Sequence, residues 1–450
     1  MTRGTRTQAV IAAGLLCFSP LVAKADAAAD ARLAAMEQRM TQLEDKLATS
    51  EQTIAEQAEL LKTQATPAVS AGSEAAQIDA FLSKLSVGGY VTASYVYNAN
   101  NPDNPVYAQA LNQFNLNHNT FNLDAAEIDF SVPAAEAGDA GFELDMMFGD
   151  NAGILGGYRF NTPGYASDNF VEVKQMFVTY NWNDVLFKFG KFVTLMGSEV
   201  IDEPYNKNVT QGVLFTYAIP LFHTGVLASS KFNEEWGWAL GVMNGWNNSS
   251  DLNDNKGVTG QINLATGPLS TAFTAYYGSD GNTGTTAQTV NNFNTDRAFL
   301  VDWASTLAVN DALSFWWNVD WGYQNDVQFT NGPLTGRQMN AHWYGGALGT
   351  FYKFTEKASV AVRGEVLRDG DGYRMVAGRD VTAYTLTGTL GYQLTDNLLA
   401  RFEVRYDDLH ADQTSQVSGY FPQGGCAGFG SGCGSDRDLQ YIANVAYVFD

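Results

Sequence analysis

Beyond its first ninety residues or so the chain is written almost entirely with a period of two, and no apolar run there is long enough for a membrane-spanning helix. In residues 313–324 one face carries Leu313, Phe315, Trp317, Val319, Trp321 and Tyr323. The other carries Ser314, Trp316, Asn318, Asp320, Gly322 and Gln324. In residues 398–407 the apolar set is Leu398, Ala400, Phe402, Val404 and Tyr406, against Leu399, Arg401, Glu403, Arg405 and Asp407. A side-chain period of two places each set on one face of a strand. Soluble sandwiches alternate too, but aromatic residues near the ends of strands this long fit lipid outside and water inside. Charged residues make up 16% of the 450-residue chain and aromatic ones 13%. Soluble domains carry about 25% charged residues, so this surface is short of charge. These features predict an all-β transmembrane barrel.

Counting the alternating segments tests that reading separately. Strands are expected near 86–97, 121–132, 141–149, 171–181, 185–192, 223–232, 236–246, 256–266, 269–278, 297–309, 312–324, 342–354, 357–368, 380–394, 397–408 and 438–450. The connections alternate between long and short. Asn183-Asp184, Gly267-Pro268, Asn310-Asp311 and Thr395-Asp396 are among the short ones. Outer-membrane barrels have an even strand number, short periplasmic turns and long outer loops. About sixteen antiparallel strands would close around an aqueous channel, with both chain ends on the periplasmic side.

The segment before the barrel reads differently. Residues 1–25 have the form of a signal peptide: Arg3 and Arg6, then an apolar stretch, then Ala23-Lys24-Ala25 as a cleavage site. Leu16 before Cys17 disfavours lipidation. Residues 26–62 form a helical periplasmic segment in which Leu33, Met40, Leu47, Ile54 and Leu61 recur every seven residues. Met36 and Leu43 fill the second core position, followed by the polar Ser50 and Gln57. That heptad predicts an N-terminal coiled coil, with a lone helix as the alternative. Residues 63–85 are a linker and a short helix, and 86–450 the barrel. Cys426 and Cys433, in a glycine-rich stretch, suit a small disulfide loop in an oxidising compartment.

Several stretches resemble a known family. GGYVTASYVYN near Gly89, AAEIDFSV near Ala126, GFELDMMFGD near Gly141, FKFGKFVTLMGSEV from Phe187, LFTYAIPLFHTG from Leu214 and GVMNGWNNSSDLNDNK from Gly241 resemble the OmpL-like outer-membrane β-barrel porins. The resemblance runs from Val87 onward and is strongest over 171–264. It implies a porin of a Gram-negative outer membrane, without naming a solute.

One stretch, 193–222, is too long and too acidic at its start to be a turn, and a loop of its length can fold into a barrel and narrow it. A pore constriction is expected with Glu199, Asp202 and Glu203 on its acidic side and Arg363, Arg401 and Arg405 on the wall, because fixed opposite charges at a narrow point sort ions. Asp129, Asp145, Lys188, Asp320, Glu365 and Glu403 should line the lumen. In the rival arrangement Glu365 and Glu403 neutralise the neighbouring arginines, and Glu199 caps loop backbone. The sequence leaves both open.

The formal net charge of −22, three units more acidic once Arg3, Arg6 and Lys24 are removed, excludes binding nucleic acid by charge and favours mild cation preference. His118, His223, His342 and His410 are scattered and no serine sits in a nucleophile elbow, so no enzyme, cofactor or metal site is expected. The expected function is passive diffusion of small hydrophilic solutes or ions. Expected partners are outer-membrane lipid and lipopolysaccharide, the barrel-assembly machinery reading the last strand, and two further copies in a homotrimer. The alternative is a plugged structural or adhesion barrel tethered by the coiled coil, with peptidoglycan as a further partner.

Overall fold

The structure, a computed structural model, describes residues 78–103, 111–158, 170–251, 255–279, 288–290, 297–329, 338–375, 380–411 and 435–449. The signal peptide, the coiled-coil core from Leu33 to Leu61, the linker up to residue 77, Cys426, Cys433 and Asp450 lie outside them. Of the short helix expected before the barrel, residues 78–82 are helical.

The strands in chain order are β1 (Ser86–Asn98), β2 (Thr120–Val132), β3 (Ala140–Phe148), β4 (Val171–Trp182), β5 (Val185–Val193), β6 (Phe222–Lys231), β7 (Trp236–Met243), β8 (Gly257–Thr266) and β9 (Leu269–Gly278). They continue with β10 (Gln288–Val290), β11 (Ala298–Ala308), β12 (Leu313–Phe329), β13 (Gln338–Lys353), β14 (Ala358–Asp369), β15 (Val381–Gln393), β16 (Leu398–Ala411) and β17 (Arg437–Phe449). Every barrel strand pairs antiparallel with its sequence neighbour, and β17 returns to β1 with Gly89 opposite Phe449 and Asn98 opposite Gln440. Sixteen strands therefore close the barrel. The three-residue β10 lies outside that ring and pairs only with the far end of β12. Closure leaves no unpaired sheet edge in hydrocarbon, the condition for a β-structure to cross a bilayer.

The alternation falls as expected. Leu240, Phe273, Leu348, Leu386 and Phe402 are exposed on the outer wall, while their chain neighbours Ala239, Thr274, Ala347, Thr387 and Glu403 are buried. Trp182, Trp236, Tyr352, Phe354 and Tyr392 are exposed near the short-turn end, and Phe121, Tyr277, Tyr344 and Tyr384 near the other. Two such aromatic belts suit the headgroup levels of a membrane. At the β4–β5 hairpin Asn183 and Asp184 both take positive φ, +49° and +65°, as a two-residue turn matched to strand twist requires. On β5, Gly190 has φ +141°, and a Cβ there would meet the Met176 carbonyl oxygen of β4 at 2.2 Å, so no other residue fits.

Two features differ from expectation. β12 and β13 run past 324 and start before 342. Beyond a register shift after Gln324, Val327 pairs with Met339 and Gln328 with Gln338, so the hairpin rises further than the hydrophobic pattern alone. Residues 150–170, expected as plain loop, begin with helix α1 (Asp150–Tyr158), whose Ala152, Ile154 and Leu155 are buried.

Candidate functional site

Residues 194–221 join β5 to β6 through the inside of the barrel. They begin beside β8, β9, β11 and β12. The Gln261 side-chain amide donates to the Leu195 carbonyl at 3.0 Å, the Gly197 N–H donates to Asp302 at 3.2 Å, and the Ser198 N–H donates to Asn318 at 3.0 Å. Asp202 then reaches the opposite wall, where Lys174 Nζ of β4 lies 2.7 Å away and the Tyr90 hydroxyl of β1 donates at 3.1 Å. The chain returns along β14 to β16 and leaves past β13, where the Trp343 indole donates to the Ala218 carbonyl at 3.0 Å. A loop tied to so many strands cannot leave one wall without breaking bonds at another.

The expected acid–base pairing is partly present. Arg363 of β14 is fully buried and its Nη1 lies 2.5 Å from Glu199; the same guanidinium has its Nε 2.9 Å from Glu365. Glu199 also accepts the Gly212 N–H at 2.8 Å. At Arg363 the two arrangements coexist: the loop acid meets the arginine, the wall acid Glu365 shares it, and Glu199 caps backbone. Arg401 of β16 donates to Glu203 at 2.5 Å, to the carbonyls of Glu203 and Asn206 at 3.3 Å, and to Asn444 at 3.0 Å. Burial pushes the Glu199 and Glu203 carboxyls up to about 7, although each arginine pulls them down.

Two expected partners sit elsewhere. Arg405 meets no loop carboxylate. It pairs with Asp407, its neighbour two residues along β16, at 2.9 Å, and reaches the loop only through the Gln211 carbonyl at 2.7 Å. Asp202 serves Lys174 rather than an arginine. Glu403 does not neutralise Arg401 or Arg405. It accepts the N–H groups of Val209 at 2.6 Å and Thr210 at 3.0 Å, and Glu365 likewise faces those of Val213 and Leu214. Wall carboxylates thus satisfy loop backbone that would otherwise lie buried without partners.

Of the other lumen positions, Lys188 lies over the Phe177 ring at 4.4 Å, and Asp320 is buried beside Asn318. Asp129 and Asp145 join Glu127 in a group whose nearest oxygens lie within 4.8 Å of one another. A cation already serves that group: Lys174 bonds Glu127 and lies 3.5 Å from Asp145.

The lumen is not hydrophilic throughout, as the alternation suggested. Toward the end bearing the long connections, Leu300, Trp343, Leu367 and Leu409 of the wall pack with Val213, Leu214 and Phe215 of the loop, Phe114, Leu155 of α1 and Trp246. Arg374 latches this layer. Its Nε donates to the Tyr217 carbonyl at 2.5 Å, and its guanidinium lies 4.9 Å from the Trp246 ring and 5.3 Å from that of Trp343. Tyr90, Asp302, Asn318, Trp343 and Arg374 were not singled out for the site. All but Arg374 occupy the inward-facing parity of their strands, a signal shared by too many residues to single them out.

At the short-turn end a cavity of about 1060 Å³ opens along β4 to β8, lined by Asn181, Lys188, Ser229, Lys231 and Asn263, with Leu195 of the loop on its boundary.

A family model described as "Putative beta-barrel porin-2, OmpL-like" matches residues 84–430. Among solved structures, the anion-selective porin from Comamonas acidovorans is similar at TM-score 0.53 and 10% identity, covering 81% of this chain and 99% of that one. The outer membrane channel DcaP of Acinetobacter baumannii is similar at TM-score 0.51 and 12% identity, covering 81% and 97%. A loop L8 deletion mutant of OmpT, an outer membrane protein of Vibrio cholerae, gives 0.51, 11%, 81% and 98%. Identities this low establish the shared barrel fold. No curated protein sequence matches the chain. With a family model spanning this much of a closed sixteen-stranded barrel, the chain belongs to the OmpL-like outer-membrane β-barrel porins.

Proposed function

We propose that the protein lets small hydrophilic solutes and ions diffuse across the outer membrane through a lumen narrowed by residues 194–221. The observation that carries this reading is the seating of that loop: its acids Glu199, Asp202 and Glu203 meet the wall cations Arg363, Lys174 and Arg401. Fixed charges held this way make a polar constriction rather than a neutral plug. The 1060 Å³ cavity supplies the periplasmic half of the path. The other half is closed by connecting segments, among them 111–116 and 373–375, which carry no part of the barrel ladder. The apolar layer there also includes Leu155, Trp246 and Val213 to Phe215, so passage requires that layer to rearrange. The acidic balance of the chain supports mild cation preference. A reversal potential in asymmetric salt tests it: cation preference is expected, and clear anion preference overturns it.

The N-terminal segment is read as periplasmic, with its heptads holding a homotrimer together. Assembly machinery, lipopolysaccharide and, through the N-terminal segment, peptidoglycan are the expected partners. A second reading, a plugged barrel with a structural role, draws on the apolar layer around Trp246 and Trp343. Absence of conductance from folded protein in planar bilayers would select it.

A further inference from the structure

A second, smaller cavity of about 210 Å³ lies where the tip of the loop approaches the short-turn ends of β13 to β16. Its walls bring together three ammonium groups: Lys207 of the loop, Lys353 at the end of β13 and Lys357 in the β13–β14 turn. The deeper lumen cations Lys174, Lys191, Arg363, Arg401 and Arg405 each meet a carboxylate. Among the described residues, Lys207, Lys353 and Lys357 form no ion pair. Glu356 is the one carboxylate lining the niche. Arg401 also lines it, but its guanidinium is committed to Glu203 and Asn444.

We propose that this niche binds a small oxyanion, a carboxylate or phosphate, between Lys207 and Lys353. Unpaired like charges gathered in a partly enclosed space repel one another, and an anion between them turns that repulsion into attraction. All three lysines remain exposed on one side; partial desolvation and then the Lys353 charge pull the Lys207 ammonium below its ordinary range, and the second of these is the repulsion an anion would relieve. Lys207 Nζ also sits 4.9 Å from the Phe351 ring, so a short carbon skeleton has an apolar surface beside the charges. Thr355, Ser359 and Asn206 are among the remaining lining residues, with the Asn206 amide held by Val200. At about 30 Å³ per water in the liquid, the space holds an anion of a few heavy atoms with part of its hydration, not a large solute. This deepens the channel reading, because a basic spot beside an otherwise acidic lumen gives anionic and zwitterionic solutes a place to pause before leaving. It rests on that reading only in taking the lumen to be open to the periplasm.

The test is isothermal titration calorimetry on the folded, detergent-solubilised mature protein, with inorganic phosphate and with succinate as separate probes. Saturable one-site binding of at least one probe is expected. Lys207→Gln and Lys353→Gln are each expected to weaken it at least tenfold, and Lys207→Arg to retain it. No saturable binding of either probe, or unchanged binding in both glutamine variants, overturns the proposal. Succinate bound without phosphate identifies an organic carboxylate as the ligand, and phosphate bound without succinate an inorganic one. Calorimetry needs no conduction. A barrel that binds but passes no current removes the channel reading alone, and one that conducts without binding removes this proposal alone.

Discussion

Replacing Arg401 by Met keeps most of the aliphatic stem and removes the guanidinium that joins Glu203, the Asn206 carbonyl and Asn444. Glu203 and Arg401 are both almost completely buried, so at the alkaline pH of a tryptic assay the variant must either bury the Glu203 charge without a counter-charge or protonate it against the solvent. Breaking a buried ion pair by removing one partner costs roughly 3–5 kcal/mol. The barrel strands do not depend on this contact, so the cost falls on the seating of the loop. At about 1.4 kcal/mol per tenfold, even the lower figure raises the unseated population on the order of a hundredfold. Lys207 is the only lysine or arginine between 194 and 221, so tryptic cutting after it reports unseating. Cutting tracks the open population when reclosing is fast. The double variant Glu203→Gln, Arg401→Met removes the stranded charge and should recover most of the resistance. An Arg401→Met protein cut at the wild-type rate, or a double variant cut as fast as the single one, would refute the reasoning.

The remaining predictions concern pH, assembly and the N-terminus. The seated loop holds the Glu199 and Glu203 protons up to about pH 7, against about 4.5 for the free carboxyls, so it binds protons more tightly than the unseated loop. Its relative stability is therefore greatest below pH 4.5 and declines as pH rises through 7; acidifying from pH 8 to 5 should slow the tryptic cut relative to that of an unstructured lysine peptide in the same tube, and relative acceleration would contradict the shifts. Gly190→Ala forces a methyl group onto the Met176 carbonyl at the loop's base, and should sharply lower the yield of heat-resistant folded barrel, read by gel mobility with and without boiling. Deleting residues 31–62 should abolish trimer crosslinks if the heptads hold protomers together, and persistence of the trimer would show that the barrels associate by themselves.

Strand positions were legible because the lipid boundary imposes one rule on every residue. Phe402 must face out and Glu403 in, whatever lies inside, and the Asn183-Asp184 turn announces its own geometry. The charges crossing from loop to wall were legible only as a set. Glu199 and Glu203 found Arg363 and Arg401, but Asp202 crossed to Lys174 because the path of a loop through a lumen is not periodic. Arg405 chose Asp407, two places along the same face, a local solution that removes any need for a loop acid. The apolar layer was hidden for a related reason. Leu300, Leu367 and Leu409 stand on the inward parity near the strand ends, where the alternation rule expects polar residues. Only the arrival of Phe114, Leu155 and Trp246 from distant connections explains them.

The most direct measurement compares single-channel conductance of the mature protein with that of a variant in which residues 199–212 are replaced by a short glycine-serine linker. If the inserted loop sets the narrowest point of a working pore, the native protein conducts ohmically and the shortened one passes a larger current with weaker ion preference. Equal conductance in the two would place the restriction elsewhere, and silence in both would mean that the barrel is not a channel.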